Sequence, residues 1–441
     1  MLTALTVQNF KSYRQARLPI AELTVLIGAN ASGKSNLIEA LQLLAWIARG
    51  RRLSELLYAL KERQLDLRGA LQSFTYRDEE ARAFNLGGLL RTQSEGEVDF
   101  DLGLGLLEDG LHLLDEHASY AGAPTRYPLY EVLEGPDAAR YSHALEVAYE
   151  TFGNDTPSEI TCTDQQAIFT QLTTPARFSG EHKESQERIP RLAREIQATL
   201  ESVLFLDPAP RRMRDYSFMV ERALQGDGSN VSAVLYDICE KQQRKTEVLA
   251  FVRALPEQDI LDLTFLKGPR EEVMVQLTES FGGKARTYEA ALLSDGTLRV
   301  LAIAAALLSS AEGSLVVIEE IDNGVHPSRA KLLLDNIQRV ARARKLRVLL
   351  TTHNPALLDA IPLDAIPDVV ACYRDPKEGD SRLMPLSQLP DYPELVAQGP
   401  VGQLVTRGIL ERYLKSPRTP EAKAAQGQKV LEMLQAPPGE P

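Results

Sequence analysis

Apolar residues near the N-terminus and in the last third of the chain alternate between short strand-like runs and runs at helical spacing. Leu23–Ile27 is a β-branched apolar run typical of a buried strand, and Asn36–Ala48 places apolar side chains one helical turn apart. The same alternation predicts, in chain order, a strand at Val273–Leu277, a helix at Thr297–Ser309, a strand at Leu315–Ile318, a helix at Pro327–Ala343 and a strand at Val348–Thr351. We therefore predict an α/β fold with a mixed, mostly parallel sheet flanked by helices.

The middle of the chain has a different pattern. Glu97–Leu107 alternates polar and apolar residues as a half-exposed strand does, and strand-like runs continue to about residue 170. Residues 183–200 and 229–255 have helical spacing, whereas 49–95 shows short amphipathic pieces and polar turns. The predicted organisation is the first half of an α/β head at 1–95, a β-rich and then helical insertion at 96–265, the second half of the head at 266–415, and a poorly ordered tail at 416–441.

Composition narrows the class of protein. The net charge of −12 excludes a uniformly basic nucleic-acid binder but not local basic patches. The three cysteines, Cys162, Cys239 and Cys372, form no C-x-x-C pair, which indicates reduced structural thiols and argues against a zinc site. The N-terminus lacks a signal-peptide pattern, and the longest apolar run, Val300–Leu308, is too short to cross a bilayer. We expect a cytoplasmic protein without a membrane partner.

A glycine-rich loop between the first buried strand and the first helix carries the strongest chemical signal. Residues 28–35 read G-A-N-A-S-G-K-S and fit the pattern G-x-x-x-x-G-K-[ST] of phosphate-binding loops. Gly28 and Gly33 allow a tight backbone whose N–H groups face phosphate oxygens, and the helix N-terminus adds positive charge. Lys34 can reach the β- and γ-phosphates, and the Ser35 hydroxyl can bind Mg²⁺. The alternative, a chance glycine turn, does not explain the strand and helix that flank the loop.

Two acids and a histidine follow the later strands. Glu319 and Glu320 end the strand Leu315–Ile318, and His353 follows the strand Val348–Thr351. Ligands of α/β sheets bind where the strands end, so these side chains are expected at one crevice. There Glu319 would hold Mg²⁺, Glu320 would polarise the attacking water, and His353 would contact the γ-phosphate or the water. Alone, the acids are equally consistent with helix capping, and a lone histidine after a strand is usually a packing residue.

The helix predicted after Leu293 offers a second anion site. Ser294 is a good N-cap residue, and Gly296 leaves backbone N–H groups accessible at the helix start. From spacing alone, a capped buried helix is the favoured interpretation of these residues.

Together these segments resemble the ABC-type ATPases, specifically the SMC-like, RecF-like and OLD-like branch, without a Toprim domain. Residues 28–35 match the Walker A loop, Leu293–Thr297 resembles the ABC signature, Leu315–Glu320 resembles Walker B, and His353 falls on the switch histidine. The segments that favour this branch over transporter subunits are Asn9–Tyr13, Lys34–Asn36, Ile318–Pro327 and Thr352–Pro355.

The resemblance implies a mechanism in which two heads sandwich two ATP molecules with Mg²⁺. Ser294 and Gly296 of one head would meet the γ-phosphate held by Lys34 of the other, and Asn323 and Gly324 would lie near the dimer seam. The implied catalytic residues are Glu320, His353 and Lys34, and the implied metal ligands are Ser35 and Glu319. The implied nucleotide-binding residues are Gly28, Asn30, Ser32, Gly33, Lys34, Ser35, Asn36, Ser294 and Gly296.

The chain departs from the family pattern at two positions. Glu319 replaces the usual Asp and reaches one methylene further, and Asp295 replaces a glycine and adds negative charge near a phosphate. These departures leave open a nucleotide-binding scaffold that does not turn over; a transporter subunit is the other alternative. Gln93 is the best candidate for the Q-loop glutamine.

The parts attached to the heads determine what ATP hydrolysis drives. The 260-residue gap from Lys34 to Ser294 lacks the sustained heptads of a long coiled coil. Asp375 and Glu378–Asp380 fit a hairpin turn between Val369–Tyr373 and Leu383–Leu386 better than a nuclease centre. We therefore expect a homodimeric ATPase in DNA maintenance or anti-phage defence, with a nuclease or toxin activity on a separate effector protein. Basic clusters at 49–52, 211–214 and 342–347 leave direct DNA contact open.

Overall fold

The computed structural model describes residues 1–62, 64–76, 82–93, 96–122, 127–135, 143–153, 156–253, 259–322, 327–389 and 392–415. The predicted tail at 416–441 and the predicted seam residues Asn323 and Gly324 lie outside these ranges. Within them, no helix has the length and apolar character needed to cross a membrane.

The described residues form strands and helices as follows. The strands are β1 (Leu2–Phe10), β2 (Tyr13–Pro19), β3 (Leu23–Ile27), β4 (Ala83–Arg91), β5 (Glu97–Leu107), β6 (Gly110–Tyr120), β7 (Tyr130–Glu134), β8 (Ala144–Tyr149), β9 (Ser158–Thr163), β10 (Leu204–Leu206), β11 (Ser217–Phe218), β12 (Asp259–Lys267), β13 (Glu272–Phe281), β14 (Lys284–Glu289), β15 (Leu315–Ile318), β16 (Arg347–Thr352), β17 (Val369–Arg374) and β18 (Ser381–Pro385). The α-helices are α1 (Lys34–Ala48), α2 (Leu56–Lys61), α3 (Ile168–Gln171), α4 (Lys183–Glu201), α5 (Val231–Tyr236), α6 (Lys245–Val252), α7 (Asp295–Ser309), α8 (Ala330–Ala343), α9 (Pro355–Asp359), α10 (Tyr392–Ala397), α11 (Val401–Thr406) and α12 (Ile409–Lys415).

A six-stranded sheet confirms the predicted α/β core. Its strand order is β10-β15-β16-β3-β17-β18, and all neighbours are parallel except the antiparallel pair of β17 and β18. The hairpin predicted near residues 369–386 is therefore confirmed as this pair. Because β3 lies between β16 and β17, the N-terminal segment of the chain is built into the centre of a sheet whose other strands all come after residue 203.

The N-terminal strands belong to a second sheet, which is antiparallel and has the order β2-β1-β4-β5-β6-β7-β8-β9. Strand β4 was expected only as short pieces and turns, because Gly87 and Gly88 break its apolar pattern. Both glycines are required by close strand contacts, since a Cβ on Gly87 would lie 2.3 Å from the Phe100 carbonyl oxygen and one on Gly88 would lie 2.4 Å from that of Ala4. The pairing of β4 with β5 carries this sheet across the predicted domain boundary at 95/96, and the domain division itself stays a prediction.

The helix expected at 229–255 is interrupted. Helix α5 ends at Tyr236, and a π-helical turn covers 237–241. Gln243 then adopts a left-handed backbone with a φ of 57° before α6 begins at Lys245. The Tyr236 ring packs edge-on against Phe265 of β12, with ring centroids 5.4 Å apart. Helical periodicity in the sequence does not register such a break, because the apolar residues on both sides still face one core.

Helices α1 and α7 are buried on opposite faces of the six-stranded sheet. Helix α1 and the antiparallel sheet share one apolar core, which includes Leu26 of β3. Helix α7 packs in a second core on the other face of the six-stranded sheet, which includes Val25 of β3. Successive side chains of β3 thus point into the two cores on opposite faces of the sheet, so the loop after β3 lies between these cores.

Glu116 of β6 is a fully buried carboxyl that joins α3 to the antiparallel sheet. It accepts hydrogen bonds from the backbone N–H groups of Ile168 (2.6 Å) and Phe169 (2.9 Å) and from the Tyr130 hydroxyl (3.0 Å). Burial raises the pKa of Glu116 to about 8, and these hydrogen bonds only partly oppose the shift.

We expect Glu116→Gln to flatten the pH dependence of stability. A carboxyl whose pKa is higher in the folded chain takes up a proton on folding, so its stabilising contribution is complete below pH 4.5 and is lost as the pH rises towards about 8. One such proton changes the free energy of unfolding by up to about 1.4 kcal/mol per pH unit. Urea unfolding at several pH values between these limits should show a smaller slope for Glu116→Gln than for the parent, whereas Glu159→Gln, on the exposed edge strand β9, should keep the parental slope. An unchanged slope in Glu116→Gln would mean that Glu116 is ionised in the folded chain.

Candidate nucleotide-binding site

A cleft of about 680 Å³ lies where the parallel strands end. The loop after β3, the acids after β15 and the histidine after β16 all reach it, because the carboxyl ends of parallel neighbours share one sheet edge. The residues that line it are Lys11, Ser12, Asn30, Ala31, Ser32, Gly33, Lys34, Ser35, Asn36, Ile38, Arg68, Gly69, Ser73, Thr75, Glu319, Glu320, Thr351, Thr352, His353 and Arg374. The structure thus brings most of the predicted site residues together.

The two loop glycines are held by the neighbouring strands. A Cβ on Gly28 would lie 2.2 Å from the Cys372 carbonyl oxygen of β17, and Gly28 has a φ of +153°. A Cβ on Gly33 would lie 2.4 Å from the Ser381 Oγ of β18, and Gly33 has a φ of +122°. Both positions therefore require glycine on steric and on backbone grounds.

Side chains from outside the loop bind its carbonyl groups. The Ser381 hydroxyl donates to the Ser32 carbonyl oxygen at 2.6 Å, and the Tyr13 hydroxyl donates to that of Gly33 at 3.1 Å. The Ser32 Oγ is buried and has no hydrogen-bond partner among the described residues. Carbonyl groups engaged in this way point away from the cleft, which suits a loop whose N–H groups are to face an anion.

Lys34 lies folded back on its own loop. Its Nζ donates to the carbonyl oxygens of Gly28 at 2.6 Å and Ala29 at 3.1 Å. Burial lowers the pKa of Lys34, while the nearby acids Glu320 and Asp322 oppose the shift. A phosphate in the cleft would provide a charged partner for this ammonium group in place of two neutral carbonyls.

Glu319 has the environment of a cation ligand. Burial and, to a smaller extent, the nearby carboxylates of Asp207 and Glu320 together raise the pKa of Glu319 to about 7. Its carboxylate and the Ser35 hydroxyl line the same cleft and are the hard oxygen donors that Mg²⁺ prefers. The donor set therefore fits Mg²⁺, and a divalent cation would relieve the repulsion among these acids.

Glu320 occupies a strained backbone position. Its φ is 47°, the left-handed region that non-glycine residues rarely adopt, and its N–H donates to the Thr351 Oγ1 of β16 at 2.9 Å. Such strain is retained where the surrounding structure fixes it, commonly at functional sites. The bond to β16 fixes the Glu320 backbone at the end of β15.

His353 and Asp322 form a pair beside the acids. The His353 Nδ1 lies 3.8 Å from the Asp322 Oδ2, and the Thr352 hydroxyl donates to the other Asp322 oxygen at 2.7 Å. The His353 side chain is 55% exposed, whereas that of Asp322 is 6% exposed. His353 is thus accessible to a ligand while Asp322 is held behind it.

The predicted signature residues do not line this cleft. Ser294 caps α7, where its Oγ accepts a hydrogen bond from the Thr297 N–H at 3.1 Å. Asp295, next to it, is bound by Arg214 at 2.6 Å. A contact of Ser294 or Gly296 with nucleotide in the cleft would therefore require a second copy of the chain.

Gln93 lies outside the cleft, so the Q-loop assignment is wrong. Gln93 follows the C-terminal end of β4, where Leu90 pairs with Leu2 at the start of β1. Lys11, which lines the cleft, follows the other end of β1. The Gln93 N–H donates to the Glu195 carboxylate of α4 at 3.2 Å. The sequence around a glutamine between two strands does not show at which end of the sheet that glutamine lies.

Sequence reasoning missed a cluster of charged residues at the mouth of the cleft. Glu39 of α1 binds both Lys11 and Arg68, the latter at 2.5 Å, and Lys11 also donates to the Arg68 carbonyl oxygen at 2.7 Å. Arg374 reaches the loop from β17 and donates to the Ala31 carbonyl oxygen at 3.1 Å. Only Lys11 had a sequence signal, through the segment Asn9–Tyr13.

Comparison with known proteins identifies the family. The family model described as "AAA domain, putative AbiEii toxin, Type IV TA system" matches residues 119–359, more than half of the chain, and the model described as "AAA ATPase domain" matches residues 1–52. The chain belongs to this family of AAA ATPase domains. Its similarity to an SMC protein and to RecF supports the resemblance to the SMC/RecF-like branch of the ABC-type ATPases.

The curated relatives are much longer than the matched segments. This chain is 39% identical over 71 residues to structural maintenance of chromosomes protein 1 of Arabidopsis thaliana, and the match covers 15% of this chain and 6% of that protein. It is 34% identical over 101 residues to the DNA replication and repair protein RecF of Synechococcus sp., and the match covers 22% of this chain and 26% of that protein.

Among solved structures, an SMC head bound to the C-terminal winged-helix domain of ScpA has a TM-score of 0.48 at 11% identity, covering 87% of this chain and 97% of that chain. The SMC head domain from Thermotoga maritima has a TM-score of 0.43 at 13% identity, covering 87% of this chain and 98% of that chain.

We predict that Gly28→Ala displaces the loop. The new Cβ would collide with the Cys372 carbonyl oxygen, and backbone strain and the clash together should cost at least about 1–3 kcal/mol of unfolding free energy. Urea unfolding should show this loss, and Gly180→Ala, whose Cβ would meet nothing within 4 Å, should stay within about 0.5 kcal/mol of the parent. Equal stabilities of the two variants would contradict the clamp by β17.

Proposed function

We propose that this protein binds ATP with Mg²⁺ and hydrolyses it to ADP and phosphate. The observation that carries the proposal is the convergence of Lys34, Glu320 and His353, from three separate strand ends, on one cleft. The membership in an ATPase family supports the same reaction.

Each side chain has a role that its position supports. Ser35 and Glu319 would hold Mg²⁺, which supplies charge neutralisation at the phosphates. Lys34 would bind the β- and γ-phosphates, and the loop N–H groups would bind the remaining oxygens. Glu320 would accept a proton from the attacking water, and His353, oriented by Asp322, would contact the γ-phosphate or that water.

We expect Glu320→Gln to retain ATP binding and to lower the rate of phosphate release by about 10²–10⁴-fold, since an amide cannot accept the proton. Lys34→Ala should lose ATP affinity as well, because it removes the charged contact to the phosphates. The exposed Glu312→Gln, in the turn after α7, is the matched control and should hydrolyse ATP at the parental rate. A Glu320→Gln protein as active as the parent would overturn the assignment of the base. If the parent and both variants bind ATP but the parent does not hydrolyse it, the result would favour a non-hydrolysing scaffold.

We further propose that two chains complete the site by placing Ser294 and Gly296 of one copy against the nucleotide of the other. Three features of the α7 start support this arrangement. Ser294 is exposed, and the neighbouring Leu292 is 72% exposed on the same surface. The ion pair with Arg214 offsets the negative charge that Asp295 adds to the helix N-terminus. The departure at Asp295 is therefore compatible with an anion site.

Mixing of inactive variants tests the shared site. Lys34→Ala and Ser294→Arg should each be inactive, but a mixed dimer contains one site with both residues intact. Random mixing should therefore restore about one quarter of the parental ATPase rate if the two sites act independently.

The matched control for mixing is Lys34→Ala with Glu320→Gln. Lys34 and Glu320 act on one nucleotide from the same chain, so no mixed dimer has an intact site and this mixture should stay inactive. Failure of the first mixture to recover, or recovery of both mixtures, would contradict a site shared through Ser294.

For the biological output, we propose ATP-controlled closure of two heads that regulates a separate effector protein, a nuclease or toxin, in DNA maintenance or anti-phage defence in the cytoplasm. The names of the RecF and SMC relatives and the toxin–antitoxin description of the family model support this setting. Direct DNA contact stays a prediction. Each of the three basic clusters has a member that already pairs with a carboxylate within the chain, which weighs against this contact: Arg51, Arg212, Arg214 and Arg342.

A further inference from the structure

Two histidines and an aspartate meet at one end of the antiparallel sheet, outside the ATP cleft. His112 lies on β6, His143 directly precedes β8, and Asp164 directly follows β9. One ligand atom of each lies within 4.8 Å of the other two. His112 and Asp164 are buried and His143 is exposed, so the cluster opens to solvent on one side.

The backbone holds these three residues in place. The Asp164 N–H donates to the His143 carbonyl oxygen at 2.9 Å, and the Asp164 carbonyl oxygen accepts from the Leu113 N–H at 2.9 Å. The two imidazole rings are stacked, with centroids 5.5 Å apart and planes 9° apart. The ligand geometry is therefore set by strand ends rather than by flexible side chains.

The hydrogen-bond pattern around His112 calls for a positive charge. Its Nε2 lies 2.8 Å from the Asp109 carboxylate, and its Nδ1 lies 2.6 Å from the Asp164 Oδ2. A neutral imidazole carries a single N–H, so it can donate to only one of these two carboxylates. The other close approach would then bring two lone pairs together without a proton or cation between them.

Polar groups surround His112 Nδ1. The amide nitrogen of Gln165 lies 3.0 Å from it, and a bound metal ion would take the lone pair that this amide now contacts. The His143 Nδ1 lies 3.2 Å from the same Asp164 oxygen. The second Asp164 oxygen, Oδ1, is buried and has no hydrogen-bond partner among the described residues.

We propose that this cluster binds a zinc-like divalent transition-metal ion through the Nδ1 atoms of His112 and His143 and the Asp164 carboxylate. Asp109 would hold the far nitrogen of His112, the arrangement that commonly orients a metal-binding histidine. Two ligands about 2.0 Å from a tetrahedral zinc lie about 3.3 Å apart, so the contact between His112 and Asp164 would open by less than 1 Å. The fourth position would face solvent beside His143.

The ion would link the β5–β6 turn to the segments before β8 and after β9. Because it would bind only where these segments meet, it would stabilise the folded antiparallel sheet in proportion to zinc concentration. This proposal does not depend on ATP hydrolysis. Cysteine spacing gives no sign of it, since none of its ligands is a cysteine.

The test is zinc titration of the full chain after chelator treatment, without nucleotide, followed by calorimetry and thermal unfolding. We expect one zinc per chain and a higher melting temperature with zinc. The exposed His143→Asn should fold normally and lose at least about tenfold in zinc affinity together with the thermal shift, and Asp109→Asn should lose about 10–100-fold. His117→Asn, on the same strand β6 as His112, is the control and should bind zinc as the parent does. No binding by the parent, or equal binding by the parent and His143→Asn, would overturn the proposal.

Discussion

The site depends on the parallel alignment of three neighbouring strands, β15, β16 and β3. Each is a short apolar segment that is buried on both faces, and each ends at the same edge of the sheet. Parallel pairing therefore places the loop after β3, the acids after β15 and the histidine after β16 around one space, although more than 280 residues separate Ser35 from Glu319 in the sequence. An antiparallel partner at any of these positions would have sent one group to the opposite edge.

A second constraint fixes the phosphate-binding loop from the side. Strands β17 and β18 approach Gly28 and Gly33 so closely that no side chain fits there, and Tyr13 from the antiparallel sheet binds the Gly33 carbonyl oxygen. The loop is thus held by both sheets. The antiparallel sheet therefore supports the loop through Tyr13 and also supplies Lys11 at the cleft mouth.

The sequence predicted those parts whose signal is local. The loop at 28–35, the strand before it and the helix after it are contiguous, and the acids and His353 each follow a recognisable apolar strand. Strand β4 escaped prediction because its two glycines serve close backbone contacts, whereas glycine in a sequence usually indicates a turn. The interrupted helix after Val231 and the pairing of Glu39 with Lys11 and Arg68 depend on tertiary contacts that no periodicity records. The same holds for His112, His143 and Asp164, which come from three distant segments.

The central claim is that one Mg-nucleotide lies among Lys34, Ser35, Glu319, Glu320 and His353. The most direct measurement is a crystal structure of the Glu320→Gln chain with ATP and Mg²⁺. The account predicts the β- and γ-phosphates within hydrogen-bond distance of the Lys34 Nζ, and Mg²⁺ bound by the Ser35 hydroxyl and the Glu319 carboxylate. Nucleotide bound elsewhere on the chain, or bound here with Lys34 still on the Gly28 carbonyl oxygen and Glu319 away from the metal, would contradict it.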